Sequence, residues 1–209
     1  MNKCIHQGIQ NSLRGLCAAA GHPCYLIMVV QIMKSKDIAI VGILLAIGAI
    51  LRYFLAMLHT PLTPNMIIAF YCLAIILIRP KILEALGIGL VAGVLSMLIS
   101  SSMFPPANII SEPIGALVCF ALYAVLRERT KLAPTVTTFL ATLASGFSFA
   151  AIAMMFVGAS VLSSPKYGGD IMAFVAVFVP IVVITAVFNA IVVQFLYIPS
   201  SRVLLRGQE

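Results

Sequence analysis

The segment KSKDIAIVGILLAIGAILRYFLAML, residues 34–58, places two lysines before an apolar run that carries a single charge, Arg52. A helix needs about 20 mostly apolar residues to cross a bilayer, and cations beside it mark the cytoplasmic side. The segment therefore predicts a membrane-spanning helix whose N-terminus lies in the cytoplasm.

The composition of the whole chain agrees with a membrane protein. Of 209 residues, 62% are hydrophobic and 9% are charged, and the mean hydropathy is +1.14. A water-soluble fold cannot bury that much apolar surface, so the bilayer must be the solvent. The net charge of +7 does not indicate a nucleic-acid partner, because the cations are scattered among apolar runs and form no basic face with interleaved aromatic residues.

Five further apolar runs follow the first and predict six spanning helices in all. Prolines and polar residues separate the runs, as is typical of helix ends. The second run is short, which predicts a helix that is tilted or buried. The predicted helices cover residues 38–58, 65–78, 82–102, 108–126, 134–162 and 171–197.

The basic residues alternate from one connection to the next. Cations precede the first helix, occupy residues 79–81 and 127–131, and follow the sixth helix, whereas the other three connections carry only Lys166. The positive-inside rule then places both termini in the cytoplasm. The sequence predicts an all-α, polytopic bundle of six transmembrane helices, N-in and C-in, in the cell membrane.

Residues 1–33 do not continue this pattern. An apolar run at 15–30 is broken by Gly21, His22 and Pro23, which makes it a poor signal peptide. Residues 33–37 look like an ordinary cytoplasmic start before the first strong helix. We predict that residues 1–33 are an N-terminal extension, disordered or absent from the native protein, and that residues 34–209 form the transmembrane transport domain.

Catalysis, metal binding and nucleotide binding have little support in the sequence. The five cysteines form no C-x-x-C pair and have no companion histidines at ligand spacing. No Walker A motif is present. Ser145 has no histidine in any predicted span to act as its base, and the spans contain no paired aspartates. We predict no enzyme activity, metal or cofactor, so that energy for transport comes from a gradient or a partner.

Of the charged residues inside predicted spans, where each is unfavourable by a few kcal/mol, two stand out. Arg52 is in the outer part of the first helix, and Glu112 is in the first turns of the fourth, four residues after Asn108. One interpretation is a cavity that opens outward, in which Arg52 binds a carboxylate and Glu112 or Asn108 binds an ammonium group or another donor. The alternative is that Arg52 snorkels to the interface or forms a structural ion pair with Glu112.

Three connections near that level are rich in proline and polar residues, at 59–65, 103–108 and 163–170. Non-helical backbone at membrane depth is tolerated where it lines a cavity, so these loops can roof a ligand site; simple turns are the alternative. Asn65, Phe104 and Tyr167 are the candidate ligand residues of the loops, because aromatic rings stack on planar ligands.

Small residues recur four apart in two of the predicted helices. Gly42 and Ala46 on the first helix pack inside the bundle or provide a docking groove for a partner membrane protein, and the sequence leaves both open. The third helix carries Ala85, Gly89 and Gly93, which predict a close helix contact. Amides in the sixth helix, Asn189 and Gln194, are predicted to form interhelical hydrogen bonds.

Three motifs resemble the TrpP family of tryptophan transporters. They are TPNMIIAF at 63–70, IRPK at 78–81 and FPPANIISEP at 104–113, and the resemblance extends over residues 34–200. It implies import of tryptophan, with Asn108 and Glu112 near the ligand. A vitamin or another cofactor precursor is the alternative solute, since an architecture does not name its ligand.

The overall plan also resembles the substrate-binding S component of energy-coupling factor transporters. That resemblance implies that Gly42 and Ala46 face a transmembrane coupling protein, which works with ATPase subunits. Gly42 departs from the Ala-x-x-x-Ala motif usual in that class. A stand-alone carrier driven by a gradient remains open.

Overall fold

The computed structural model describes residues 33–57, 65–100, 102, 104–163 and 169–205, with only the backbone of 202–205. Residues 1–32 of the predicted extension lie outside the described residues. The described part contains six α-helices and a short 3-10 turn, Pro105–Ala107. The helices are α1 (Ser35–Met57), α2 (Met66–Ile78), α3 (Ile82–Ile99), α4 (Asn108–Leu126), α5 (Ala133–Leu162) and α6 (Ile171–Leu205).

Five of the described helices are long and apolar enough to cross a membrane: α1, α3, α4 with its preceding turn, α5, and α6 as far as Ser201. The exception is α2, which has 13 residues and a length of only about 20 Å, against a hydrocarbon core of about 30 Å. The described part of the chain contains no β-strand. An all-helical membrane bundle is confirmed, whereas six complete crossings and the side of the termini stay predictions.

Helix α2 is the centre of the bundle. It contacts each of the other five helices, and eleven of its 13 residues are buried. A helix that is apolar all round lies either in a protein core or in lipid; here neighbouring helices cover it, so burial, one of the two predicted reasons for its shortness, is confirmed. Asn65 lies at its N-cap and is therefore held at the middle of the bundle.

Helices α3 and α4 pack closely through the small residues of α3. A Cβ atom at Gly89 would lie 2.7 Å from the Cα of Pro113, and one at Gly93 would lie 2.7 Å from the carbonyl oxygen of Asn108. The predicted close contact is therefore confirmed. It brings Ser96, one turn after Gly93, next to Glu112 on α4.

This contact predicts a large difference between two neighbouring glycines. Gly89→Leu should lower the thermal unfolding temperature of the detergent-solubilised protein markedly, because overpacking costs about 1–3 kcal/mol and here meets backbone atoms. Gly87 is the matched control, since a Cβ there meets no atom within 4 Å, and Gly87→Leu should leave the unfolding temperature nearly unchanged. Equal unfolding temperatures for the two variants would contradict the α3–α4 contact.

The two longest helices have a backbone irregularity in α5 and an internal proline in α6 on the same side of the bundle. Helix α5 has non-helical backbone at Val157 (φ −129°, ψ 17°), and α6 contains Pro180 within the helix. Beyond these points their apolar ends pack together, with Val161 against Phe174. The end segments form one wall of the cavity described next.

Candidate functional site

A cavity of about 360 Å³ lies where α1 ends and where α2 and α4 begin, and all six helices or the residues that cap them line it. This volume is within the range of about 300–1,000 Å³ typical of small-molecule sites. One side of the cavity is polar and the other is apolar. The polar side includes Arg52, Asn65, Asn108, Ser111, Glu112 and Ser145, and the apolar side includes Phe149, Met154, Phe174, Val177, Phe178 and Ile181.

Arg52 and Glu112 are joined through the side-chain amide of Asn65. Nη1 of Arg52 donates to Oδ1 of Asn65 at 2.7 Å, and Nδ2 of Asn65 donates to Oε1 of Glu112 at 2.5 Å. Ser96 makes a second bridge: its Oγ accepts from Nη1 of Arg52 at 2.8 Å and donates to Oε1 of Glu112 at 3.3 Å. The two charges therefore belong to one hydrogen-bond network.

Glu112 is fully buried, with 0% of its surface exposed. Besides Asn65 and Ser96, the hydroxyl of Ser145 donates to its Oε2 at 3.1 Å. A carboxylate removed from water is strongly unfavourable unless such donors replace its hydration. Because Oε2 receives one bond from the described residues and a carboxylate oxygen has about two acceptor sites, it can accept another donor.

Arg52 and Glu112 form no direct ion pair. Within the described residues the ion pair shorter than 4.0 Å is Arg127–Glu128, far along the chain from the cavity. The described residues also offer no acceptor to Nη2 or Nε of Arg52. The cavity thus has a cation with unused donors at one point and an anion with an unused acceptor site at another.

The other polar candidates have different positions. Asn108 lines the cavity, and its Nδ2 donates to the carbonyl oxygen of Pro105 at 2.8 Å, which fixes the 3-10 turn before α4. Ser111 also lines the cavity, and its buried hydroxyl has no partner among the described residues. The sequence did not predict Ser96, Ser111 or Ser145 as site residues, since a serine in a span carries no distinctive signal.

Of the two predicted aromatic loop residues, only Phe104 lies in the described part of the chain. Phe104 stacks on Phe156 with ring centroids 5.5 Å apart and an interplanar angle of 18°, and it is not among the residues that line the cavity. Tyr167 lies outside the described residues. The wall instead uses Phe149, Phe174 and Phe178 from inside α5 and α6, where phenylalanine in an apolar run gave no indication of which face is inward.

The two amides of α6 form the interhelical hydrogen bonds expected of them. Nδ2 of Asn189 donates to the carbonyl oxygen of Asn65 at 3.2 Å and to Oγ1 of Thr142 at 3.4 Å. Gln194 accepts from the hydroxyl of Thr135 at 2.6 Å. Asn189 therefore holds the backbone of Asn65 in place. The prediction that both amides form interhelical hydrogen bonds is confirmed.

Gly42 and Ala46 on α1 are both exposed. A Cβ added to Gly42 meets no atom within 4 Å. The described helices therefore leave this small-residue face uncovered, and packing inside the bundle, one of the two interpretations, is not observed among them.

Comparison with known proteins identifies the family. The sequence model described as "Tryptophan transporter TrpP" matches residues 34–205, which include all six helices. The chain belongs to the TrpP family. A "Probable tryptophan transport protein" of Bacillus subtilis (strain 168) is 32% identical over 178 residues, which cover 83% of this chain and 95% of the relative. No solved structure matches the chain. The TrpP match contains every residue of the polar network around Glu112.

Proposed function

We propose that this TrpP protein binds tryptophan in the cavity and imports it. The observation that carries the proposal is that Arg52 and Glu112, bridged by Asn65, lie at one side of a cavity whose other side is aromatic and apolar. Tryptophan has the same division, since a zwitterionic backbone is joined to a planar apolar ring. Matched polar groups orient such a ligand, and apolar walls bind most of its surface.

Each part of tryptophan has a corresponding group. The guanidinium of Arg52 binds the carboxylate, because its planar donors match the two oxygens. Glu112 accepts a hydrogen bond from the ammonium group. The indole ring lies against Phe149 and Phe178, with Met154 as an adaptable thioether contact. The TrpP description of the family supports this ligand independently of the geometry.

Thermal unfolding of the detergent-solubilised protein with added ligands tests the proposal. A ligand at about 100 times its Kd stabilises the folded form by about 2.7 kcal/mol. Tryptophan should raise the unfolding temperature more than tryptamine, which lacks the carboxylate, or indole-3-propionate, which lacks the ammonium group. Stabilisation by a vitamin but not by tryptophan would show that the protein binds the vitamin and would contradict the proposed ligand.

The aromatic wall gives a prediction with a matched control on the same helix. Phe178 lines the cavity and stacks on Phe174 with centroids 5.3 Å apart, whereas Phe195 is 73% exposed. Phe178→Ala should weaken tryptophan binding about tenfold, since an aromatic contact contributes about 0.5–1.5 kcal/mol beyond its buried area. Phe195→Ala should bind normally in calorimetric titration. Unchanged affinity in Phe178→Ala would show that the indole ring of tryptophan does not bind against Phe178.

The proposal includes six crossings with both termini in the cytoplasm, so that the cavity opens to the outside. The alternation of basic connections supports this topology. A cysteine placed at Thr130 should not react with a membrane-impermeant maleimide added to intact cells. Labelling of this cysteine from outside would show that the protein has the opposite orientation in the membrane.

We further propose that the protein works as an S component with a separate coupling protein and ATPase subunits. The uncovered face of Gly42 and Ala46 supports this, because close helix contacts in membranes favour small residues. Gly42→Leu should reduce cellular uptake severalfold and leave tryptophan binding intact, and Gly87→Leu, an exposed glycine on α3, should change neither. Uptake by purified protein in liposomes under an ion gradient alone would instead support a stand-alone carrier.

A further inference from the structure

A second recess, of about 500 Å³, lies where α4 ends and α5 begins. Glu112 and the end of α4 at Leu126 are 14 residues apart, about 21 Å along the helix, so the recess is at the other end of the bundle from the ligand cavity. Its described lining includes Tyr123, Arg127, Glu128, Arg129, Lys131 and Tyr197.

Positive charge dominates this recess. Three cations stand against a single acid, Glu128, which pairs with Arg127 at 3.4 Å. Arg129 and Lys131 have no acidic partner within 4.0 Å among the described residues. Two tyrosine hydroxyls add neutral donors, and the buried Tyr123 lies close to Arg79 and Tyr197. Arginine, lysine and tyrosine donors together suit an oxyanion such as a phosphate group.

The connection that carries these cations is held in place by its own hydrogen bonds. The carbonyl oxygen of Thr130 accepts from the backbone N–H of Ala133 at 3.2 Å, and its hydroxyl accepts from the N–H of Leu132 at 3.1 Å. The same loop begins α5, a helix of 30 residues, whose N-terminus adds a favourable field for an anion. The cations are therefore presented on a fixed loop.

Apolar residues continue from the recess along the surface of the bundle. Leu132 is 56% exposed, and Val136 and Leu140 follow on α5 at four-residue spacing with 38% and 37% exposed. Val125 at the end of α4 is 58% exposed. A free ion needs only the cations, whereas a phospholipid has a phosphate for the cations and acyl chains for this exposed stripe.

We propose that the recess binds the phosphate group of an anionic phospholipid, whose acyl chains lie along Leu132, Val136 and Leu140. Basic recesses at the membrane surface are a recurrent way in which helical membrane proteins hold such headgroups. The site is separate from the ligand cavity, and the inference does not depend on which solute the protein transports.

The test uses the full-length protein in detergent, titrated with phosphatidylglycerol or phosphatidylcholine and followed by native mass spectrometry and thermal unfolding. Phosphatidylglycerol should bind and raise the unfolding temperature, and phosphatidylcholine should do neither at the same concentration. The variant R129Q/K131Q should bind phosphatidylglycerol about 25-fold more weakly, about fivefold for each cation. The charge-matched control K34Q/K36Q, changed at the start of α1, should bind it normally.

Two further arms separate the alternatives. Tyr197→Phe keeps every charge, and it should weaken lipid binding severalfold without changing the elution volume in size-exclusion chromatography. Inorganic phosphate that stabilises the protein as well as the lipid does would support a phosphate site but assign it to a free anion. Equal losses in R129Q/K131Q and K34Q/K36Q, or no difference between the two lipids, would overturn the proposal.

Discussion

Glu112→Gln is expected to weaken tryptophan binding by at least about 30-fold. Glutamine has the same shape and can keep hydrogen bonds to Asn65 and Ser145, but it removes the negative charge that we propose to pair with the ammonium group. Loss of one partner of a buried, hydrogen-bonded charge pair costs about 2–5 kcal/mol, and each 1.4 kcal/mol is about tenfold in Kd. Calorimetric titration of the purified variant measures the effect.

A second ligand shows whether Glu112 touches the ammonium group or only supports the fold. Indole-3-propionate has no ammonium group, so it should bind to Glu112→Gln as tightly as to the unchanged protein, or more tightly. A supporting role predicts that both ligands are weakened together. Glu128→Gln is the control, because Glu128 is exposed and lies at the opposite end of α4. Normal tryptophan affinity in Glu112→Gln would exclude Glu112 from the site.

Arg52→Gln is expected to have an effect of similar size on tryptophan but little effect on tryptamine. Tryptamine lacks the carboxylate, so it does not use the donors of Arg52 that the described residues leave without an acceptor. Arg52→Lys should be intermediate, since it keeps the charge and loses the planar fork. Equal losses for tryptophan and tryptamine would mean that Arg52 acts only through its bonds to Asn65 and Ser96.

The double variant R52Q/E112Q measures how strongly the two charges depend on each other. Arg52 and Glu112 share Asn65 and Ser96 as partners, and residues in one network show coupling of about 0.5–3 kcal/mol. The unfolding temperature of the double variant should therefore fall by less than the sum of the decreases measured for the two single variants. Strict additivity would contradict the bridged arrangement.

Much of the fold was predictable because lipid imposes strong rules on sequence. Helix α4 was predicted with the observed bounds, 108–126, and α2 within one residue. The end of α6 was not, since it was predicted at residue 197 and the helix continues to Leu205 through Pro199. The apolar run marks the part of a helix that lies in lipid, but it does not mark where the helix ends, because a helix can continue into the membrane interface.

The lining of the cavity was predictable only where a residue was unfavourable in the membrane or stood at an unusual connection. Arg52 and Glu112 were found because charges inside spans need a reason, and Asn65 was found because it follows a proline-rich connection. Ser96 and Ser145 were missed, since a hydroxyl in a helix can bond to its own backbone and needs no partner elsewhere. Phe149 and Phe178 were missed because inward and lipid-facing phenylalanines have the same sequence signature.

The side-chain amide of Asn65 bridges the two charges of the cavity by imitating the two ends of an amino acid. Its side-chain oxygen accepts a hydrogen bond from the guanidinium of Arg52, as a carboxylate would. Its NH2 group donates a hydrogen bond to Glu112, as an ammonium group would. In the proposed complex, tryptophan therefore meets two charges that Asn65 already holds apart, and no direct ion pair has to be broken before it binds. Because no ion pair would form again when the ligand leaves, the same arrangement would favour release as well as capture, as transport requires.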